Sequence, residues 1–278
     1  MPIFAGIRVS CVGMLRQPIR IVSVAADFNS DDWYKNFFSG AALDLWRQAK
    51  TADETEQECA FLQEVFGLAD GAHLLDVPCG DGRLTLPMVQ AGFKITGLDY
   101  CQEFLNDGAK VAKSAKLGSD VVQFVHGDMR AISLKEKFDG AFCFGNSFGY
   151  FNRRGTEQMF ESLNACLKSG AKLVLESIML AETFLVNGAE REWVRVGDMF
   201  MLVDNHYDTR ESCVQTDYTF IRNGREESRS ATHWIYTSGE VCSMLSKAGF
   251  IVNDLFGSLQ FDSYELGSDR LFLVAEKE

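Results

Sequence analysis

The stretch Leu74-Leu75-Asp76-Val77-Pro78-Cys79-Gly80-Asp81-Gly82-Arg83-Leu84 decides the fold. An apolar run reaching Val77 reads as a buried strand, an acid stands near its carboxyl end, and a tight loop with two glycines follows. From residue 84 to 90 the pattern turns helical. A strand, a glycine loop and a helix in that order place backbone N–H groups at the edge of a parallel sheet, where an elongated polar ligand can lie. Gly80 and Gly82 let the chain turn sharply and let a ligand approach bare main chain. A dinucleotide fingerprint would want a third glycine three residues beyond Gly82, and Thr85 stands there instead. The Asp76 carboxylate would repel a pyrophosphate and suits the ammonium of an amino-acid group. Two glycines after a strand also occur in plain turns, so the weight falls on the rest of the chain.

Downstream, the rhythm is that of alternating strands and helices. A second strand over 93–98 ends at Asp99, about 20 residues past the loop, where an acid accepts both hydroxyls of a ribose. Tyr100 and Phe104 follow and are placed to flank the sugar or a base. A third strand over 121–125 ends in His126-Gly127-Asp128-Met129-Arg130. There, Asp128 suits an adenine amino group and Met129 the face of its ring. A fourth strand over 138–144 breaks into Gly145-Asn146-Ser147-Phe148-Gly149-Tyr150-Phe151, the kind of loop in which sites are built. An amphipathic helix is expected over 156–168, closed by Gly170, and a fifth strand over 172–176 with Glu176 near its tip.

From 192 to 236 the pattern changes to apolar–polar alternation, with turn signals at Asp208-Thr209 and Asn223-Gly224. It reads as two or three antiparallel strands inserted before strand six, a cap over the site or a self-association surface. A helix carrying Val241, Met244, Leu245 and Ala248 then leads to strands over 250–256 and 271–275, which pair as an antiparallel edge. The expected fold is thus α/β, with a Rossmann-like, seven-stranded, mostly parallel sheet whose last strand is antiparallel, plus the small β insertion.

Ahead of the sheet, residues 31–40 and then Leu43, Leu45 and Trp46 form an aromatic-rich pair of short helices, and 52–67 a further helix. We expect these to make a lid, with Tyr34 facing the ligand. The division expected is an extension over 1–26, a helical lid over 27–70, a main domain over 71–190 and 237–278, and the insertion over 191–236. Residues 1–26 carry Arg8, Arg16 and Arg20 and no acid. They read as a loosely ordered extension or a start assigned too early, ahead of Met14, with a transit peptide as the alternative.

The chain has 278 residues, 46% of them hydrophobic, and a formal charge of −12, which argues against a nucleic-acid backbone as the main partner. No apolar run reaches the roughly 18 residues that span a bilayer. The eight cysteines are scattered without a C-x-x-C pair, as reduced thiols of a cytoplasmic protein are, and no metal set is evident.

On these residues the chain resembles the class I S-adenosylmethionine-dependent methyltransferases, of the bacterial small-molecule type, from about 74 to 276. The motifs are the D-V-P-C-G-D-G-R loop, Asp99, Gly127-Asp128-Met129 and the A-G-F-x-V start of the last strand pair. The S-G-A-A-L-D-L-W run is also loosely similar to glycine N-methyltransferase. The resemblance implies that Asp76 and Gly80 hold the methionine portion of S-adenosyl-L-methionine, Asp99 its ribose, and Asp128 with Met129 its adenine. Phe144, Gly145 and Asn146 would lie beside the methionine end. Two departures stand out: Pro78 replaces the usual first glycine of the loop, and Asp44 stands where the glycine-type enzyme has an arginine for the cofactor's carboxylate, leaving Arg47 or Arg83 to substitute.

Methyl transfer from a sulfonium is an in-line displacement in which the protein aligns the nucleophile and excludes water. It leaves S-adenosyl-L-homocysteine and needs no nucleophilic side chain. The catalytic group stays unassigned, with His206, His233 and Tyr150 as weak candidates, His126 and His73 weaker ones, and Glu176 able to orient an acceptor. The expected partner is a small-molecule methyl acceptor, with no nucleic acid or membrane and a homodimer as an open option. Two other readings are a sensor that binds the cofactor without turning it over and a nicotinamide-dependent oxidoreductase on a similar sheet.

Overall fold

The structure is a computed structural model that describes residues 32–278. The extension over 1–26, and residues 27–31 of the expected lid, lie outside the described residues. Seven strands form one sheet in the order β10-β11-β5-β4-β1-β2-β3. These are β1 (His73–Asp76), β2 (Lys94–Asp99), β3 (Val122–His126), β4 (Phe138–Cys143), β5 (Leu167–Ser177), β10 (Phe250–Phe256) and β11 (Leu271–Lys277). The first five pair in parallel, and β11 runs antiparallel to both β5 and β10. Only β10 of the last pair is an edge, because β11 is enclosed between β10 and β5.

Successive side chains on a strand face opposite sides, and the core divides accordingly. Leu74, Phe142, Val174 and Phe272 pack on one side with α3 (Ala52–Phe66) and α4 (Thr85–Gln90). Leu75, Cys143, Leu175 and Leu273 pack on the other with α6 (Arg153–Cys166) and α8 (Ser238–Lys247). Each of these eight strand residues is at most 3% exposed. The α3 helix is fixed at its start by a reciprocal cap: Glu54 N donates to Thr51 Oγ1 at 3.2 Å, and Thr51 N to the Glu54 carboxylate at 2.9 Å. At α5 (Gln102–Ser114), Gly108 permits close approach, since a Cβ there would stand 2.8 Å from the Asp81 carbonyl oxygen.

The insertion is a separate sheet of four strands rather than two or three: β6 (Arg191–Val196), β7 (Met199–Asp208), β8 (Cys213–Arg222) and β9 (Arg225–Trp234). The extra hairpin turns at Gly197, whose φ of 58° supplies the turn without an Asn-Gly cue. Its buried face (Met199, Met201, Val203, Tyr218, Phe220 and Ala231) packs on α1 (Tyr34–Phe37) and α2 (Gly40–Trp46). Two further differences concern helix ends. The helix expected to close at Gly170 ends at Cys166, because Leu167 is already extended and starts β5. A short helix α7 (Ala181–Asn187), which the sequence reading lacks, joins β5 to the insertion.

Candidate active site

Parallel order turns the sequence of strand tips into a line. Across β5, β4, β1, β2 and β3 the tips and the loops just after them carry Glu176, Asn146, Asp76, Asp99 and Asp128 in turn. At about 4.8 Å per strand, that row spans roughly 19 Å. All five residues line one cavity of about 180 Å³. The three acids therefore face a common cleft.

Asp99 is the most firmly held. Its two carboxylate oxygens accept from Gly80 N and Cys101 N, each at 2.7 Å. A carboxylate has about four acceptor sites, so two remain for a ligand. Burial pushes its carboxyl above the usual range, against the pull of those N–H donors. Asp76 is 2% exposed and accepts from Thr85 Oγ1 at 2.6 Å. Burial lifts its carboxyl to about 7. Asp128 behaves oppositely: burial raises its carboxyl, but the Arg130 guanidinium 2.7 Å away outweighs this and holds it below the usual range.

The glycine loop offers bare main chain. Gly80 has a φ of 57°, and nothing lies within 4 Å of where its Cβ would stand. Gly145 is alike, at 78°. Asn146 itself is left-handed, at 60°; its N–H donates to Glu176 Oε2 and its Oδ1 accepts from Ile178 N, both at 2.9 Å. Pro78 follows Val77 through a cis peptide bond.

The α1–α2 pair covers the cleft. Tyr34 is 6% exposed, and its hydroxyl donates to Asp128 Oδ2 at 3.3 Å while accepting from Arg130 Nη2 at 2.6 Å. Tyr34, Pro78, Gly80, Tyr100, Phe104, Met129, Phe144, Gly145 and Tyr150 all line the cavity. The two insertion histidines do not. His206 is exposed on β7. His233 is 5% exposed on β9 and packs 5.3 Å, ring to ring, behind Tyr150. The lining includes no residue of 191–236, so the insertion reaches the cleft only through α1 and α2.

Several lining residues carried no motif: Phe38, Lys50, Ile178 and Arg270. They come from the lid and from isolated positions beside strand ends, where spacing gives no cue. Of the two arginines considered for a carboxylate, Arg83 lines the cleft, whereas Arg47 is paired with Asp44 and Asp107 away from it. Asp44 also pairs with Arg222 of β8 at 3.1 Å.

Comparison with known proteins agrees with this geometry. Residues 74–170 match a family model described as a methyltransferase domain. A Geobacillus sp. (strain WCH70) protein named "Putative methyltransferase" is 22% identical over 259 residues, 88% of this chain and 97% of its own. Two solved structures share the fold. An S-adenosylmethionine-dependent methyltransferase from Clostridium acetobutylicum superposes with a TM-score of 0.71 at 17% identity, covering 80% of this chain and 92% of that one. CalS10 with bound S-adenosylmethionine, described as an amino pentose methyltransferase from Micromonospora echinaspora, gives 0.64 at 20%, covering 87% and 99%. Matched segment and fold agree: residues 74–170 match a methyltransferase domain, and the fold is the one shared with solved S-adenosylmethionine-dependent methyltransferases. Among the described residues no helix is long and apolar enough to cross a membrane.

Proposed function

We propose that the protein transfers a methyl group from S-adenosyl-L-methionine to a small-molecule acceptor in the cleft beneath α1 and α2. The observation that carries the reading is the row of strand tips, which meets the parts of this cofactor in order. Asp128 and Met129 take the adenine, Asp99 the ribose hydroxyls and Asp76 the ammonium. The donor set fits: Asp99 keeps two acceptor sites open, Asp76 is a buried carboxylate without a cation bonded to it, and the Gly80 backbone faces open space.

When bound, the cofactor supplies an electrophilic methyl on its sulfonium. The residues of this chain then bind, orient and keep out water. Asn146 and Glu176 fix the loop where that methyl would lie, and Tyr34, Phe38, Trp46 and Tyr150 form apolar walls that exclude solvent. The described cysteines are all unpaired, which supports a reducing, cytoplasmic setting. A small acceptor is supported by the roofed cleft and by the amino pentose named for CalS10, which makes an amine the first acceptor class to try.

Calorimetry with S-adenosyl-L-homocysteine tests the reading. Asp99→Ala should weaken binding at least about tenfold, since two charge-assisted hydrogen bonds to the ribose are lost. Unchanged affinity would reject the assignment.

A further inference from the structure

Three cations line the cleft without a part in the reaction above: Lys50, Arg83 and Arg270. They come from three places in the chain: just ahead of α3, the glycine loop, and the turn before β11. One acid gathers them. Glu58 on α3 is 1% exposed and is not part of the lining. Arg83 Nη2 lies 2.6 Å from its Oε2, while Lys50 Nζ and Arg270 Nη1 lie 3.5 and 3.6 Å from its Oε1. The Arg83 contact is one of charge rather than an aligned hydrogen bond, since Glu58 Oε2 has no hydrogen-bond partner. Arg270 Nη1 also stands 3.4 Å from Glu176 Oε1.

A buried carboxylate needs a partner, but not three. Glu58 and Glu176 are two buried acids shared among three cations, each of which also lines the cleft. Lys50 also meets Glu54 at 3.2 Å, a carboxylate that caps α3 through Thr51. The position of the cluster is informative. Burial raises the Asp76 carboxyl and Arg83 pulls it back, which puts Arg83 within electrostatic reach of Asp76. Arg270 reaches Glu176 on β5, two strands from Asp76 and on the side away from Asp99. A zwitterionic amino-acid tail entering beyond the ribose would meet an acid for its ammonium and then cations for its carboxylate.

We infer that Glu58 is a positioning residue that assembles Lys50, Arg83 and Arg270 into a carboxylate-reading subsite, so that the cofactor is selected by both charges of its tail. This rests on the cofactor reading above. Glu58 touches no ligand itself; it is the one partner that Lys50, Arg83 and Arg270 have in common.

Three nucleosides separate the possibilities in calorimetry on the full chain: S-adenosyl-L-homocysteine, its decarboxylated analogue 5′-(3-aminopropylthio)-5′-deoxyadenosine, and 5′-methylthioadenosine, which lacks the tail. Wild type should prefer the first over the second on the order of 30-fold, as charge-assisted pairing predicts. Glu58→Gln and Arg270→Gln should each reduce that preference to about fivefold or less, and Glu58→Asp should keep more of it than Glu58→Gln. Affinity for 5′-methylthioadenosine should stay within about twofold of wild type, which a loss of folding would not allow. If Glu58→Gln does not fold, Arg270→Gln and Lys50→Met decide by the same ratio. An unaltered preference in the variants, or a wild type that binds both tailed nucleosides equally, overturns the inference and leaves the cofactor reading standing. A wild type that binds none of the three overturns the cofactor reading itself.

Discussion

The two sheets of this protein stand in opposite relations to the cleft. Five strands of the larger sheet deliver residues to the lining, at their tips or in the loops just beyond, whereas the four strands of the smaller sheet deliver none. A parallel sheet points the carboxyl ends of its strands to one edge, so its site is written at fixed points after each strand. The antiparallel insertion offers a face instead. That face holds α1 and α2, and these cover the cleft. Polar contacts reinforce the packing: Glu227 on β9 accepts from Ala41 N at 3.2 Å, and Arg222 pairs with Asp44. The insertion thus meets the cleft only at second hand, through the α1–α2 pair packed on it.

The largest effect expected follows from that arrangement. Phe220 is 1% exposed and shares the apolar layer with Phe37, Ala42 and Leu45 of the lid. Phe220→Ala should cost about 3–5 kcal/mol, read as a lower urea midpoint. S-adenosyl-L-homocysteine affinity should fall less than in Asp99→Ala, because no direct contact is removed. An affinity loss as large as that of Asp99→Ala would show the two sheets to be one unit as far as binding is concerned. The point substitution is sharper than deleting 197–230, which would strip α1 and α2 of the surface they pack on and so weaken the cleft as a whole.

The same contrast explains what the sequence disclosed. Asp76, Asp99 and Asp128 were legible because each follows an apolar strand at a spacing that strand geometry enforces. Asn223-Gly224 was legible because a two-residue turn needs positive φ, and the structure has 53° and 73° there. Gly197 gave no such signal, and one hairpin was missed. Lys50, Glu58 and Arg270 are joined by tertiary packing alone: 212 positions separate Glu58 from Arg270, and neither stands in a motif. His206 and His233 were considered because imidazole suits proton transfer, yet alternation in a strand says which residues share a face and not what that face meets.

A smaller effect, within the larger sheet, concerns pH. Burial holds the Asp76 carboxyl near 7, against 3.8 in the open chain. Between about pH 4 and 7 the unfolded chain is ionised there while the native state keeps its proton, so this group costs stability as pH rises through that window. Ligand binding runs the other way, because pairing with an ammonium needs the carboxylate. Affinity for S-adenosyl-L-homocysteine should rise up to about tenfold per pH unit towards 7 and then level off, with about one proton released. Calorimetry in buffers of different ionisation enthalpy measures that proton. Asp76→Asn should bind weakly with a flat profile, and an unchanged slope in that variant would assign the titration elsewhere.

The smallest effect at neutral pH belongs to His233, and it separates a packing role from a chemical one. Burial lowers its pKa from 6.5 to about 4, and its Nδ1 has no hydrogen-bond partner. The ring lies between Trp33 of the lid and Tyr150 of the cleft wall, at 5.2 and 5.3 Å. A histidine depressed in this way contributes stability above pH 6.5 that is lost as pH falls towards 4, because the unfolded chain takes up the proton first. The shift of about 2.5 units corresponds to roughly 3 kcal/mol over that window. Replacing the ring by a phenyl keeps the aromatic contacts and removes a buried, unpaired polar atom, a change that is near neutral. His233→Phe should therefore leave stability at pH 7.5 within about 1 kcal/mol of wild type and flatten the loss between pH 6.5 and 4, as urea unfolding at three pH values would show. If the variant keeps the wild-type acid sensitivity, the imidazole is not the group that titrates, and His233 serves the contact between the smaller sheet and the cleft wall by packing alone.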